Sequence, residues 1–250
     1  MEDLDSARVI PGCADEMLRT LESFGLNWDG TVEYQSRRTP HYLQALSELT
    51  AANLTFQCSC TRAERSPPGG YPGTCRAGPR RAGPTATRFR VEDQRVGFED
   101  CIQGECTFDL RQLGDVVVRR RDGVFAYQLA VVVDDALQGV TDVVRGADLL
   151  DNTPWQLALQ RALGLPSPRY AHLPLVVEPR RGKLAKSRRS LPLAPARASA
   201  LLHEVLVLLG QEPPLKLKLE LPGNLLAWAA QHWRPAAIRG VRQVRAPAPT

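Results

Sequence analysis

Residues 58–75 read CSCTRAERSPPGGYPGTC, and no other stretch limits the fold of this chain as strongly. Its prolines and glycines exclude both a helix and a central strand, so Cys58, Cys60 and Cys75 must be presented by a loop. Three thiols in one loop mean a disulfide staple, a metal site or coincidence. The start MEDLDSARVIPG has neither the basic beginning nor the apolar core of a signal peptide, and no apolar run approaches the roughly 20 residues that span a bilayer. The chain therefore reads as cytoplasmic, where six cysteines stay reduced and clustered ones are metal ligands or reactive thiols. A structural zinc site needs four tetrahedral donors. Cys13, Cys101 and Cys106 are remote in sequence, which leaves Glu64 and Tyr71 as the loop's other donors. Spacing alone leaves a second reading open, that of reduced and buried cysteines without a metal.

Around this loop the pattern alternates between helix and strand. Residues 14–25 place Met17, Leu18, Leu21 and Phe24 on one helical face closed by Gly25. Thr39 followed by Pro40 has the form of an N-cap and first helical residue, and the helix it opens directs Tyr42, Leu43, Leu46 and Leu49 inward. LTFQC and TRFRV read as strands on either side of the cysteine loop, separated by the linker-like AGPRRAGPTA. DVVVRRRDGV opens as a hairpin turning at Asp122-Gly123. The apolar run after it is helix or buried strand, VTDVV is a strand end, and Thr153-Pro154 repeats the cap-plus-proline signal before an amphipathic helix stopped by Gly164. Alternation of this kind favours a mainly parallel α/β sheet.

Charge is distributed unevenly. Residues 1–175 carry 19 Lys/Arg against 23 Asp/Glu, whereas residues 176–250 carry 13 against 4. A basic last third suits a polyanion such as nucleic acid, although a solvated basic face produces the same count. Within it, RRGKLAKSRRS holds Lys183 and Lys186 three residues apart beside Gly182, a spacing that can bring two ammonium groups onto a phosphate chain. Basic loops are common, and by itself this one specifies no ligand.

KLAKS nevertheless resembles the KMSKS signature of class I aminoacyl-tRNA synthetases, with Ala185 where serine is usual. It follows FAYQLAVVVDDALQGVTDVVRGADLLDNTPWQLALQRALG and YAHLPLV, which are similar to the catalytic core of glutamyl-tRNA synthetases. The short remainder after the motif and the segment YPGTCR resemble the glutamyl-Q tRNA(Asp) synthetases, a truncated branch of that family. The resemblance runs from Glu2 to at least residue 193.

It implies a Rossmann-like class I synthetase core of α/β class with a zinc-binding insertion. The division it suggests is a catalytic part at 1–57, the insertion at 58–110, a second catalytic part at 111–193 and a basic helical segment at 194–250. It implies that ATP, with Mg²⁺ on its phosphates, activates glutamate and that the glutamyl group passes to queuosine in the anticodon of tRNA(Asp), in a monomer with no membrane contact. Lys186 would meet ATP with help from Lys183; Glu2 would hold the amino group of glutamate, and Tyr127 and Arg145 the rest of it. Zinc would be held by Cys58, Cys60, Tyr71 and Cys75. The resemblance also leads us to expect a first strand, a P-S-P-T-G segment and a HIGH-like motif ahead of Glu2, and the 250 residues contain none of them. The competing expectations are an inactive, zinc-containing tRNA-binding fragment and a piece of an ordinary glutamyl-tRNA synthetase. The short C-terminus and Tyr71 disfavour the second.

Overall fold

In a computed structural model of the chain, residues 1–61, 64, 70–91, 95–178, 182–183 and 193–246 are described. Helix α1 (Cys13–Ser23) forms where its apolar spacing requires, and Gly25 follows it at φ +72°, the left-handed conformation that ends a helix. Its apolar face, however, stays open: no residue of α1 is buried, and Met17 and Leu21 are 51% and 41% exposed. Helix α2 (Thr39–Ala51) buries Tyr42, Ala45, Leu46 and Leu49, an i, i+3, i+4, i+7 stripe at whose edge Leu43 remains exposed.

Strand β1 (Thr55–Cys58) leads into the cysteine loop and pairs antiparallel with β2 (Ala86–Phe89) on its far side. The pairing of Cys58 with Ala86 closes the loop at its base. A hairpin of β3 (Arg95–Asp100) and β4 (Gly104–Asp109) precedes a single helical turn, α3 (Leu110–Leu113), and then β5 (Val116–Arg119), the third strand of the β1-β2-β5 sheet. The Asp122-Gly123 turn is present, but its second arm makes one bridge, Arg119 with Phe125, before the chain enters helix α4 (Tyr127–Leu137). The ambiguous apolar run is thus a helix. Leu129, Ala130, Val132 and Val133 are buried along it at helical spacing.

Strand β6 (Asp142–Gly146), helix α5 (Thr153–Ala162) and strand β7 (Arg169–Leu173) then form a β-α-β unit whose strands run parallel. These strands join the hairpin in a four-stranded sheet of order β4-β3-β7-β6. Beyond β7 lie β8 (Leu175–Glu178), β9 (Gly182–Lys183), helices α6 (Ala198–Leu208) and α7 (Pro222–His232), and β10 (Gln243–Arg245), which returns to pair with β8. Among the described residues the expected mainly parallel sheet is therefore replaced by three small sheets, one antiparallel and two of mixed direction. The reason is local: tight turns such as Asp100–Gly104 return the chain antiparallel, and parallel pairs of three or more residues form where a long connection intervenes, between β6 and β7 and between β8 and β10. The main core sits where α2, α4 and α5 cover β2, β3 and β5, around Tyr42, Leu49, Leu110, Leu129 and Leu159. A smaller cluster of Leu206, Leu217 and Leu225 holds the C-terminal helices. Among the described residues no helix is long and apolar enough to cross a membrane.

Candidate functional site

Two groups of side chains carry chemistry. The first is built by the closed loop. Cys58 ends β1, Cys60 follows two residues later, and the turn at Gly73 carries Cys75 back so that the three sulfurs lie within 4.8 Å of one another, all buried. Cys60 Sγ is 3.5 Å from Cys75 Sγ, and Tyr71 Oη stands 3.4 Å from Cys58 Sγ and 3.6 Å from Cys60 Sγ. Tyr71 reaches this position because its backbone bridges to Gly114, while Phe56 stacks beside its ring and Arg88 lies 3.7 Å from its centre. Glu64, the other donor in the loop, is engaged elsewhere: it accepts from Thr61 N and Oγ1 at 2.7 Å and from both terminal nitrogens of Arg81 at 2.8 Å.

Burial works against a charged Cys75, yet hydrogen bonds led by that of Tyr71 outweigh it and bring its thiol down to about 6. Burial and the surrounding thiols push Tyr71 upward, and burial raises Cys60. Three sulfurs bound at about 2.3 Å would stand roughly 3.8 Å apart on a tetrahedron. The observed spacings, the burial and the donor set therefore fit zinc.

The second group surrounds Arg145 at the end of β6, half-buried where α4 and α5 meet the sheet. Its Nε donates to His172 Nε2 at 3.0 Å, its Nη1 to Tyr127 Oη at 3.3 Å, and its Nη2 to Thr153 Oγ1 and Gln156 Oε1 at 2.8 and 2.7 Å. Behind it, His172 Nδ1 lies 2.6 Å from Asp100 Oδ2, and both side chains are fully enclosed. Among the described residues every hydrogen-bond partner of the guanidinium is neutral, and no carboxylate forms an ion pair with it. A planar cation held this way is preorganised for an incoming carboxylate.

Glu2, Tyr127 and Asp135 lie close enough to Arg145 to feel its charge. Burial raises Tyr127, and it raises Asp135 to about 6 against the pull of Arg145. Glu2 is exposed, although the protein around its carboxyl still desolvates and raises it. Glu2 and Asp135 line a cavity of about 390 Å³ with Trp28 and Asp134, whereas Arg145 and Tyr127 do not.

The structure thus gathers Cys58, Cys60, Tyr71 and Cys75 at one place and Tyr127 and Arg145 at another, with Glu2 within reach of the Arg145 charge but lining a cavity that neither of them lines. Lys186 and Ala185 lie outside the described residues, as does the Lys183 side chain; the backbone of Lys183 is in the short strand β9. Sequence reasoning missed Asp100, Thr153, Gln156 and His172. Thr153 was expected to cap α5; it is instead the first helical residue, following Asn152, and its hydroxyl serves Arg145. Thr39 is likewise inside its helix, after Arg38. The missed residues come from β3, β7 and α5, separated in sequence, and no local pattern marks them.

Comparison with known proteins adds a third line. The family profile described as tRNA synthetases class I (E and Q), catalytic domain, fits residues 1–65 and 73–197. The glutamyl-Q tRNA(Asp) synthetase of Ectopseudomonas mendocina is 50% identical over 235 residues, 93% of this chain and 80% of its own. That of Pseudomonas putida is 51% identical over 241 residues, 95% of this chain and 80% of its own. Among solved structures, a glutamate tRNA ligase from Elizabethkingia meningosepticum superimposes with a TM-score of 0.76 over 99% of this chain at 20% identity. A glutamate-tRNA synthetase from Elizabethkingia anophelis gives 0.77 at 21%. This chain spans 60% of the length of each of those two.

Proposed function

The chain belongs to the class I tRNA synthetases of the glutamate and glutamine type, and we propose that it activates glutamate with ATP and transfers it to queuosine of tRNA(Asp). The observation that carries this reading is the Arg145 guanidinium, held among the described residues by neutral partners and therefore poised for a carboxylate. The likeness to named glutamyl-Q tRNA(Asp) synthetases at about half identity over nearly the whole chain supports it.

Arg145 and the Tyr127 hydroxyl take the side-chain carboxylate, and Glu2 faces the ammonium group. The α-carboxylate of glutamate attacks the α-phosphorus of ATP and pyrophosphate leaves. Lys186, assisted by Lys183, neutralises the leaving charge, and Mg²⁺ travels with the nucleotide. A hydroxyl of the modified base then attacks the adenylate carbonyl and releases AMP. Cys58, Cys60, Tyr71 and Cys75 hold zinc, which when bound fixes the loop between β1 and β2 and takes no part in the chemistry.

The test incubates the purified 250-residue chain with labelled glutamate, ATP and tRNA(Asp) with and without queuosine. Label on the queuosine-containing tRNA alone is the expected result. Label at the 3′ end of a tRNA would overturn the reading in favour of an ordinary glutamyl-tRNA synthetase. No label, with zinc and tRNA still bound, would leave a binding module.

A further inference from the structure

Arg145 is held along its inner edge by a pair that no substrate needs to touch. His172 lies in the middle of β7, fully enclosed, with Tyr170 stacked near it and Gln103 Nε2 donating to its backbone carbonyl at 2.8 Å. Asp100, at the end of β3, accepts from the backbone N–H of Ile102, Gln103 and His172 at 2.8–3.1 Å. Its second oxygen meets His172 Nδ1 at 2.6 Å. A carboxylate hydrogen-bonded in this way only accepts, so Nδ1 must carry the proton. At the opposite side of the ring the Nε–H of Arg145 only donates, so Nε2 must present its lone pair. Both ends of the imidazole demand the same tautomer, which is what a carboxylate behind a histidine achieves in many sites.

We propose that Asp100 and His172 form a positioning pair that fixes the rotation of the Arg145 guanidinium, and with it the affinity for the substrate carboxylate. This rests on the reading of Arg145 as the carboxylate-binding residue. The pair's three strands, β3, β7 and β6, adjoin in one sheet, so the arginine is referenced to the most rigid part of the site rather than to a loop. Protonation of Nε2 would turn the acceptor into a second cation facing Arg145. Among the described residues, Asp100 from β3, Arg145 from β6, Asp148 just after β6 and the Tyr170 ring from β7 are the ionisable groups around the imidazole. Burial and Arg145 hold it neutral against the two carboxylates.

Long-range ¹H–¹⁵N spectra of the unmodified chain test the pair without requiring activity. The expected spectrum shows His172 neutral with the proton on Nδ1, and a slowly exchanging Arg145 Nε–H. A proton on Nε2, or a charged ring at pH 7, would overturn the proposal. His172→Gln can return an oxygen near the Nε2 position, whereas His172→Asn cannot reach it. The first should keep glutamate binding within a few-fold and lose its acid limb, and the second should weaken binding about tenfold or more with kcat little changed. Equal binding by parent, Gln and Asn variants would also overturn the proposal. Absence of glutamate binding by the parent, with the expected spectrum, would instead count against the reading of Arg145.

Discussion

At the scale of single residues, Tyr71 has the most to answer for. A phenol is a poor ligand near neutrality because its proton leaves only near pH 10, and burial in the loop pushes this one further up. A dication between the sulfurs reverses that balance by favouring the phenolate. Tyr71→Phe removes the oxygen that stands 3.4 and 3.6 Å from two sulfurs and the acceptor for the Cys75 N–H at 2.9 Å. Zinc affinity should fall roughly tenfold or more, measured by competition with a chromogenic chelator. An unchanged affinity would remove Tyr71 from the ligand set. His172 supplies a second residue-scale prediction, of acid lability. Burial lowers its folded pKa below the unfolded value of about 6.5, so the unfolded chain binds the extra proton first as pH falls. The stability it contributes is complete above about pH 6.5 and is lost as pH drops through the lowered folded value. Asp100, also lowered in the folded chain, adds to the loss only below its unfolded value of about 4. Urea midpoints between pH 8 and pH 5 should fall for the parent and fall less for His172→Gln. Parallel curves would exclude His172 as the cause.

Elements are joined here by buried polar hubs more than by apolar contact alone. Asp134 on α4 accepts from Gln35 Nε2 at 2.9 Å, Arg38 Nε at 2.6 Å and Tyr42 Oη at 2.8 Å, tying α4 to α2 and the turn before it. Asp134→Ala would leave Arg38, whose side chain is 12% exposed, without its close carboxylate. Removing one partner from a buried ion pair costs about 3–5 kcal/mol, so a melting temperature lower by roughly 10 °C is expected in calorimetry. A change under 2 °C, within what ~1 kcal/mol produces in a domain of this size, would refute the hub. The cysteine loop is docked differently, through backbone contact. Gly114, at φ +72°, lies so close to Tyr71 that a Cβ would meet its N at 2.5 Å and its O at 2.6 Å. Gly114→Ala should therefore displace Tyr71 and weaken zinc as Tyr71→Phe does, with the cysteines untouched; parental zinc affinity would show that the loop docks without this contact. These elements were partly legible. Periodicity located α1, α2 and α5, and the proline signals found the helix starts to within one residue. What it could not supply was the partner of each face, which is why the face that carries Met17 and Leu21 is open and Leu43, expected inward, is exposed.

On the scale of the whole molecule, the two site clusters were legible to different degrees. The cysteine loop could be read because its donors are close in sequence and its turn residues force them together. The surroundings of Arg145 could not, because Asp100 and His172 on two strands and Gln156 on a helix become neighbours only in the fold. Charge is the property that remains global, and it leads to a final prediction. The last third of the chain is strongly basic, and Arg239, Arg242 and Arg245 follow one another at every third position into β10, all exposed. The pairing of β10 with β8 fixes the end of this row to the sheet whose other edge is β9, the strand that carries Lys183. A row of cations ending on a paired strand is suited to the phosphates of a tRNA arm. Each phosphate neutralised by an arginine releases counterions, so the slope of log affinity against log salt counts such contacts. Replacing all three arginines with serine should weaken tRNA binding at low salt and flatten that slope by about three, one for each lost contact. Filter binding between 50 and 300 mM salt measures both. An unchanged slope would mean that the tRNA lies on another face and that this row is merely solvated.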